Sequence, residues 1–541
     1  MHGVDLLFVG KTLARRGLLH PGRPDRVIDQ LNTFRRFGFT LAAELRAAEA
    51  RDPHKPAVID EHRGVVSYRL LLKRAQRLAA GLAATRGIQE RDRIGLLCRN
   101  HAGFIEAMVA CSILGADAVL VNTALSAPQL AMVAEQQKLR LLLHDREFAP
   151  LAAAVGCERM DESLVDGLIA QTAPPRDWTS SRAGRMIVLT SGTTGAPKGA
   201  RRPTPSGFGP LASIIDRIPL RAGERMHIAA PIFHTWGYAA LQLAFALRST
   251  IVLQRRFDPA GTVHVLDRFN CSALFAVPVM VQRLMESQLT PAHPPKVVAV
   301  SGSALPGGLA IAFMDRWGDS LYNLYGSTEA SWASIATPRD LRKNPGTAGR
   351  PPHGTRVVIL DPAGRPVPKG AIGQIYVGNE MLFEGYTGNS GPSGLASRKG
   401  SSSSSPDAAE GNGQDLRDGL LGTGDLGHVD SDGLLHVDGR ADDMVVSGGE
   451  NVFPRPVEEL LAKLPQVREV AVIGVPDAEF GERLAAYLVL HPGHYLDDAE
   501  VREYVRHYLA RFSVPRDVHF LNELPRTATG KVIPRLLRGS A

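Results

Sequence analysis

Short apolar runs alternate with amphipathic segments along most of the first 440 residues. Each run is followed by a turn or by polar residues, which is typical of strands buried on both faces of a parallel sheet. Between several runs the apolar positions recur at helical spacing, as they do in 71–84 and 104–114. The alternation therefore predicts an α/β domain of parallel or mixed sheets covered by helices. The predicted strands are 93–97, 118–121, 139–143, 186–189 and 296–300.

The pattern changes near residue 440. A helix, two strands and a second helix follow in about a hundred residues, which is typical of a small α+β domain. These elements are predicted at 457–464, 469–475, 484–490 and from Asp497 onward. A chain of 541 residues also exceeds the roughly 250–300 at which one core stops growing. We therefore expect a large domain, 1–440, and a small mobile domain, 441–541.

Residues 388–418 interrupt the large domain with a segment rich in serine and glycine. Five consecutive serines lie among Gly, Pro and Asn. Such a composition buries too little surface to offset the entropy of ordering the chain. Since structured patterns resume on both sides, we predict a disordered surface insertion that the fold tolerates.

The N-terminal stretch MHGVDLLFVGKTLARRG has a short apolar piece followed by basic residues. Its spacing predicts an amphipathic helix packed on the body of the protein. Its charge leaves open a peripheral contact with a membrane surface. No run of 18 apolar residues is present, so we predict no transmembrane helix and expect a cytoplasmic protein.

Composition and charge narrow the classes of function. The formal net charge is +7, and the basic residues are spread along the chain. This excess suits anionic ligands such as nucleotides, whereas the absence of a long basic block argues against nucleic acid binding. The four cysteines form no CxxC pair, which argues against a zinc or redox motif and suggests free thiols in a reducing compartment.

The most informative motif follows the predicted strand 186–189. Residues 190–199 read TSGTTGAPKG. Glycines let backbone N–H groups turn toward an anion, while the hydroxyls and Lys198 add donors and a positive charge. The lysine precedes Gly199 rather than Ser or Thr, so the motif is not a Walker A loop. The chain also lacks the GxSxG of the α/β-hydrolases. The motif thus predicts a phosphate-binding loop of another kind.

Over nearly its whole length the chain resembles the acyl-adenylate-forming (AMP-binding) superfamily. The motifs that carry the resemblance are TSGTTGAPKG, NLYGSTEA (323–330), GTGD (422–425), GRADDMVVSGGENVFP (439–454) and LPRTATGK (524–531). The resemblance implies that a carboxylate attacks the α-phosphate of ATP with the help of Mg²⁺, which gives an acyl-adenylate and pyrophosphate. A thiol, usually that of CoA, then displaces AMP.

The same resemblance assigns roles to individual residues. Lys531, His234 and Glu329 are the implied catalytic residues, and Thr194 and Glu329 are the implied Mg²⁺ ligands. Trp236 lies where the resemblance places the acyl channel, while the run 275–280 is as well explained by a core strand as by a pocket wall. The implied ATP-binding residues are Thr190, Ser191, Gly192, Thr193, Thr194, Gly195, Lys198, Ser303, Tyr325, Gly326, Ser327, Thr328, Asp425, Arg440 and Lys531.

The resemblance also implies a hinge at Asp442. In one state the small domain delivers Lys531 to the reacting groups. In the other it presents a CoA-binding segment toward the thiol, namely Ser447, Gly448, Gly449 and Glu450. Because hinges absorb changes of φ and ψ in few residues, we expect Asp442→Pro to keep adenylation and to lose thioester formation.

The general pattern most resembles bacterial medium- or long-chain fatty acid–CoA ligases. Three alternatives remain open at this point: an acyl-AMP ligase that loads a carrier protein, a steroid-side-chain or aryl-acid CoA ligase, and a nucleotide-binding scaffold without turnover. The presence of Lys531, Glu329 and Asp425 together argues against the scaffold, which needs no such set of charges.

Overall fold

A computed structural model describes residues 5–20, 22–173, 184–190, 198–387, 415–441, 445–447, 450–477, 481–527 and 530–538. The helices in these residues are, in chain order, α1 (Leu6–Arg15), α2 (Pro24–Phe37), α3 (Leu41–Arg51), α4 (Tyr68–Arg86), α5 (Ala102–Leu114), α6 (Ala127–Gln136), α7 (Ala149–Ala152), α8 (Glu162–Gln171), α9 (Gly209–Arg217), α10 (Thr235–Ala246), α11 (Pro259–Arg268), α12 (Pro278–Glu286), α13 (Gly307–Trp317), α14 (Pro338–Lys343), α15 (Pro454–Leu461), α16 (Asp498–Tyr508) and α17 (Pro534–Arg538). Short 3₁₀ turns lie at Arg146–Phe148 and Arg511–Ser513.

The strands alternate with these helices through the first three hundred residues and then follow one another more directly. They are β1 (Pro56–Asp60), β2 (Gly64–Ser67), β3 (Arg93–Leu97), β4 (Asp117–Leu120), β5 (Leu141–His144), β6 (Glu158–Asp161), β7 (Met186–Thr190), β8 (Lys198–Arg201), β9 (Arg225–Ile228), β10 (Thr250–Val252), β11 (Ala273–Ala276), β12 (Val297–Val300), β13 (Leu321–Tyr325), β14 (Ser334–Ala336), β15 (Arg356–Leu360), β16 (Gly373–Gly378), β17 (Leu416–Arg417), β18 (Leu420–Val429), β19 (Leu435–Arg440), β20 (Val445–Ser447), β21 (Glu450–Val452), β22 (Val467–Asp477), β23 (Gly481–Leu490) and β24 (Asp517–Phe520).

Two largely parallel sheets form the body of the large domain. The first has the order β14-β13-β12-β11-β9-β10-β1-β2 and is antiparallel only at its two edges. The second has the order β6-β5-β3-β4-β7-β8 and is antiparallel only at the β7–β8 edge. Because the carboxyl ends of neighbouring parallel strands share one edge of a sheet, loops distant in sequence are brought together there.

One hydrophobic core joins these two sheets. Helix α5 lies at its centre, and every residue of the helix except Gly103 is buried. The core contains side chains of both sheets, such as Leu96 and Phe275, at 0% exposure. A helix that is apolar all round is the expected filling between two sheets. The two sheets are thereby fixed relative to each other, together with the loops they carry.

A third and a fourth sheet complete the chain. The third sheet is antiparallel and has the order β15-β16-β18. Strands β17 and β19 also pair with β18. The fourth contains β20 to β24 and packs on α15 and α16 around a core of its own. The predicted boundary at 440–441 falls between β19 and β20. The predicted fold class, a large α/β domain followed by a small α+β domain, is confirmed.

The predicted disordered insertion, 388–418, is too long at its C-terminal end. Residues 415–418, which we assigned to it, include strand β17, and the turn after β17 has positive φ at Asp418 (48°) and Gly419 (75°). Asp-Gly between apolar residues is a strong signal for a two-residue hairpin turn. The signal directly adjoins the serine-rich segment, whose composition dominates this part of the sequence. Residues 388–414 lie outside the described residues.

The N-terminal helix α1 packs on the large domain. Arg16 donates from Nε to the carbonyl of Ile215 on α9 at 2.8 Å, and Val9 and Leu13 are buried. Leu6 and Leu7, at the start of the helix, remain exposed. Of the two alternatives for this segment, the structure contains the packed helix. No helix in the described part of the chain is both long and apolar enough to cross a membrane.

Candidate active site

The two ends of the predicted phosphate loop are held opposite each other. Strand β7 ends at Thr190 and β8 begins at Lys198, and these two residues are cross-strand partners. The segment between them therefore leaves and re-enters the sheet at one point. The predicted ligands Ser191, Gly192, Thr193, Thr194 and Gly195 lie outside the described residues, as does the side chain of Thr190.

A tyrosine connects the basic end of this loop to the predicted metal ligand. Lys198 Nζ lies 5.6 Å from the ring centroid of Tyr386. The Tyr386 hydroxyl donates to Glu329 Oε1 at 2.7 Å. Lys198 and Glu329 are 131 positions apart in the sequence (329 − 198). In the structure, Lys198 lies near the ring of Tyr386 and Glu329 accepts from its hydroxyl.

The chemistry of Glu329 suits Mg²⁺. Its carboxylate is partly buried, and the tyrosine hydroxyl engages one oxygen. Hard carboxylate oxygens, combined with phosphate oxygens and water, are the ligands that Mg²⁺ prefers. Glu329 follows strand β13 in a loop whose Thr328 hydroxyl lies 3.0 Å from that of Thr235.

The predicted adenine and ribose residues converge from two sheets. The hydroxyl of Tyr325, at the end of β13, donates to Asp425 Oδ2 at 2.5 Å. Arg440 is the cross-strand partner of Asp425, with Nη1 3.6 Å from Oδ1. Ser303 follows β12, the strand next to β13, so it lies at the same edge of the sheet as Tyr325.

Burial governs the protonation of this group of residues. Desolvation raises the pKa of Asp425, and the Tyr325 hydroxyl together with the positive charges of Arg440 and Lys531 acts against that rise. Burial also raises the pKa of Tyr325, with the Asp425 charge adding to the effect. The phenol therefore stays protonated and able to donate, which keeps the carboxylate oriented.

Lys531 reaches the site from the small domain. Its positive charge contributes to the lowered pKa of His234 and opposes the rise that burial causes in the pKa of Asp425. The role of Lys531 in the first half-reaction, and the domain arrangement it requires, stay predictions.

The loop that carries Lys531 is tightly bonded. Thr527 N donates to the Lys531 carbonyl at 2.8 Å, and Lys531 N donates to the Thr527 hydroxyl at 3.1 Å. Next to the lysine, Gly530 has φ +81°, and a Cβ there would lie 2.5 Å from Val279 Cγ1 on α12. Only glycine therefore allows this close approach of the two domains.

His234 occupies the N-cap position of α10, and its side chain makes no capping hydrogen bond. Its Nε2 has no hydrogen-bond partner among the described residues. Burial, with the Lys531 charge as a smaller cause, lowers the pKa of His234 to about 4. The imidazole is therefore neutral at pH 7, and its free nitrogen is able to bond to a substrate group.

Trp236 forms a fixed wall near His234. Its Nε1 donates to the Ala276 carbonyl at 3.0 Å, and its ring lies 5.4 Å from that of Phe275. Phe275 and Ala276 belong to the central strand β11 and are fully buried. The run 275–280 was explained equally well by a core strand or by a pocket wall. Its first two residues belong to the core strand β11, and its last three belong to α12.

The predicted hinge and CoA-binding segment are only partly described. Asp442, Gly448 and Gly449 lie outside the described residues, as do the side chains of Ser447 and Glu450. The backbones of Ser447 and Glu450 are cross-strand partners in the β20–β21 pair. The roles assigned to these residues stay predictions.

Two residues of the site were missed from the sequence. They are Tyr386 and Arg202. Arg202 comes directly after β8, has a side chain that is 7% exposed, and donates to the carbonyl of Thr328. No signal in the local sequence distinguishes it from the neighbouring Arg201.

The comparisons with known proteins give this geometry a family. Residues 45–387 match the family model described as AMP-binding enzyme, and residues 456–531 match the model described as AMP-binding enzyme C-terminal domain. The chain belongs to the AMP-binding enzyme family. Its activity is that of an acyl-adenylate-forming acid–CoA ligase.

Relatives and solved structures agree with this assignment. A feruloyl-CoA synthase of Amycolatopsis is 32% identical, with 89% of this chain and 95% of the relative covered. An indoleacetate–CoA ligase of Aromatoleum aromaticum is 30% identical, with 89% and 94% covered. The structure of O-succinylbenzoate coenzyme A synthetase from Bacillus subtilis, in complex with ATP and magnesium ion, has a TM-score of 0.78 at 28% identity, with 92% of this chain and 99% of that chain covered.

Proposed function

We propose that this AMP-binding enzyme activates an aromatic carboxylic acid with ATP and transfers the acyl group to CoA. The observation that carries the proposal is the packing of the Lys531 loop on the large domain, where Gly530 approaches Val279, in a chain whose relatives include a feruloyl-CoA and an indoleacetate–CoA ligase. Fatty acids, which the sequence pattern favoured, are the alternative substrate class.

In the first half-reaction the substrate carboxylate attacks the α-phosphate of ATP. The carboxylate is already a nucleophile, so the main barrier is the approach of an anion to a polyanion. Lys531 offsets the charge that develops at the reacting oxygens, and the neutral His234 offers its unpartnered Nε2 to the carboxylate. Tyr325, Asp425 and Arg440 bind the adenosine part. Glu329 would hold Mg²⁺, which would supply positive charge against the phosphates of ATP.

The wall beside His234 favours a short, rigid acid. A long acyl chain needs a deep channel, whereas the Trp236 indole is fixed by its bond to Ala276 and its contact with Phe275. Rotation of the indole away from this position costs the hydrogen bond, about 1 kcal/mol, together with packing. We therefore place a flat aromatic ring, rather than a long flexible chain, in the acyl site.

A cleft between the two domains supports CoA as the acceptor. Its volume is about 660 Å³, within the usual size of ligand sites. Thr527 and Gly530 line it, so it opens beside the lysine loop. Six arginines and three glutamates line it, and three of the arginines, Arg99, Arg255 and Arg256, also pair with Glu147 outside the lining.

The test is AMP release that depends on CoA, measured over a panel of acids. The panel holds hydroxycinnamates, benzoates, arylacetates and straight-chain acids from acetate to C18. We expect aromatic acids to give a kcat/KM at least about tenfold above that of any straight-chain acid, since a difference of 1.4 kcal/mol in transition-state binding gives that ratio. A preference for C8–C18 acids would instead assign the enzyme to fatty acids.

Two controls separate the remaining alternatives. In Lys531→Ala, AMP release should fall by roughly 10²–10³, the usual effect of removing one donor to the transition state. The exposed Lys463→Ala, in the same domain, should keep full activity. Adenylate formation without CoA-dependent turnover would indicate a carrier-protein ligase, and the absence of both would indicate a scaffold.

A further inference from the structure

A buried arginine connects the β7–β8 hairpin to the loop that carries Glu329. Arg202 directly follows β8, in the sheet that holds the phosphate loop. Its Nη1 donates to the carbonyl of Thr328 at 2.5 Å, and its Nη2 donates to the Ser331 hydroxyl at 2.9 Å. One guanidinium therefore bonds to residues on both sides of Glu329. The segment that contains Glu329 follows β13, which belongs to the other large sheet.

The burial of this guanidinium is energetically costly. Its side chain is 7% exposed, and among the described residues its hydrogen-bond partners are a carbonyl and a hydroxyl rather than a carboxylate. Desolvation lowers the pKa of Arg202 to about 10, with the more distant Tyr238 and Glu329 acting against that shift. An apolar residue of similar size would avoid the desolvation cost, so the two bonds to the loop are what the arginine adds.

The loop itself needs such support. Ser331 has φ +65°, a left-handed conformation that costs a non-glycine residue about 1 kcal/mol or more. Gly326 has no room for a side chain, because a Cβ there would lie 2.2 Å from the Ser331 carbonyl oxygen. Ser331 accepts from Arg202 and donates to the Met381 carbonyl, so its hydroxyl is bonded on both sides.

We propose that Arg202 is a positioning residue that fixes the main chain at Thr328 and thereby directs the Glu329 carboxylate toward Mg²⁺ and the phosphates of ATP. Tyr386 holds the same carboxylate from its other end, through Oε1. The inference rests on the proposed function only in taking ATP with Mg²⁺ as the ligand. A shift of about 1 Å in such a group is enough to cost about a hundredfold in rate.

The test compares Arg202→Met, which keeps the apolar stem and removes all the donors, with Arg202→Lys, which keeps the charge. We expect Arg202→Met to lower ATP–pyrophosphate exchange by about 30- to 300-fold and to raise the half-saturating Mg²⁺ concentration at least about fivefold. Thioester formation from a supplied acyl-adenylate should change by less than about threefold, since it uses no metal–phosphate contact. The lysine variant should recover part of the exchange.

Two measurements do not depend on turnover. By calorimetry, Arg202→Met should bind ATP with Mg²⁺ about tenfold more weakly while its affinity for AMP changes by less than about threefold. Hydrogen exchange of amides 326–331 should become faster in the variant. Arg217→Met is the matched control, because Arg217 also donates to a carbonyl, that of Ile335, at 2.7 Å in the same domain. This control should lower the melting temperature and leave the ratio of the two half-reactions unchanged.

Equal losses in both half-reactions, like those of the control, would overturn the proposal and leave Arg202 a purely structural residue. Unchanged binding of ATP with Mg²⁺ would overturn it as well. If the wild-type enzyme exchanges pyrophosphate with no acid of the panel, the proposed function fails. The calorimetric and hydrogen-exchange results then still decide the role of Arg202.

Discussion

His234 shows how one side chain is set for its role by its surroundings. It lies at the start of a helix and is partly buried, its Nε2 has no partner among the residues that the structure describes, and the charge of Lys531 from the other domain acts on it. Both burial and the lysine disfavour the imidazolium, so the two effects have the same sign. A neutral imidazole next to Lys531 leaves the lysine as the cation that meets the reacting anions.

This environment predicts a pH-dependent stability difference. Above the ordinary pKa of about 6.5 the imidazole is neutral in the folded and unfolded chain alike. As the pH falls from 6.5 toward 4, the unfolded chain takes up a proton that the folded chain refuses, so the folded state loses stability. His234→Gln removes this loss. We expect the melting temperature of the wild type to fall below that of the variant, progressively, over this range.

The measurement is differential scanning fluorimetry of both proteins from pH 7.5 to 4.5. Because His234 is partly exposed, we expect the difference to stay at about 2 kcal/mol or less, or a few degrees. Melting curves that run parallel over the whole range would mean that the folded protein protonates His234 normally.

At the scale of single residues, the motifs located much of the site but few of its contacts. Tyr325, Asp425 and Arg440 were expected at the nucleotide and do lie together. The hydrogen bonds of Arg202 to Thr328 and Ser331 could not be predicted from the sequence, because they join loops of two different sheets. Nothing in a local pattern encodes such a pairing.

Helix α12 is the element on which the two domains meet. Gln282 donates from Nε2 to the Arg468 carbonyl at 3.1 Å, and Glu286 accepts from Arg468 Nε at 3.0 Å. Arg468 belongs to β22, the longest strand of the small domain. The helix therefore contributes both to the large-domain core, through Val281 and Leu284, and to the docking of the lysine domain.

The Glu286–Arg468 contact predicts a selective kinetic effect. Glu286→Arg places two like charges at the contact, so the arrangement that presents Lys531 should lose about 1 kcal/mol relative to other arrangements. We expect adenylation to fall by about threefold to tenfold while thioester formation from a supplied adenylate is kept.

The charge-reversed double variant is the control. Arg468→Glu together with Glu286→Arg restores the opposite charges and should restore most of the adenylation rate. Failure of the double variant to recover, with both half-reactions equally impaired, would mean that the contact is not specific to this arrangement.

At the scale of elements, the periodicity of apolar residues predicted helices and strands well where the whole element has one kind of environment. The run at 93–97 is strand β3, and the helix expected from Asp497 is α16, with the Asp497 side chain accepting from Glu500 N. The sequence was least informative in the third sheet, where β17 has two residues and its turn adjoins the serine-rich segment. Short strands carry too few positions for a period to be visible.

The whole site is assembled from segments that lie far apart along the chain. Lys198, Glu329, Asp425 and Lys531 come from three sheets and the small domain, and a resemblance over the whole chain was needed to connect them. Composition and charge indicated only an anionic ligand. The acid itself depends on the shape of the wall at Trp236, which no motif encodes.

The serine-rich segment provides a test of how far the fold depends on the whole chain. We expect replacement of 389–414 by a short Gly-Ser linker to leave both half-reactions within about twofold and the melting temperature within a few degrees. A deletion that continues through residue 418 is the control. It removes β17 and the hydrogen bond from Tyr376 to Asp415, and should therefore lower the melting temperature. Loss of activity in the shorter replacement, with unchanged stability, would assign a function to the segment.

The close approach of Gly530 to Val279 has a consequence for how this protein evolves. A side chain at 530 has no space unless the residue at 279 shrinks, and the two positions belong to different domains. A substitution at either of these two positions is therefore constrained by the size of the residue at the other position. Among descendants of this sequence, a change at 530 is expected to survive only after 279 has become smaller.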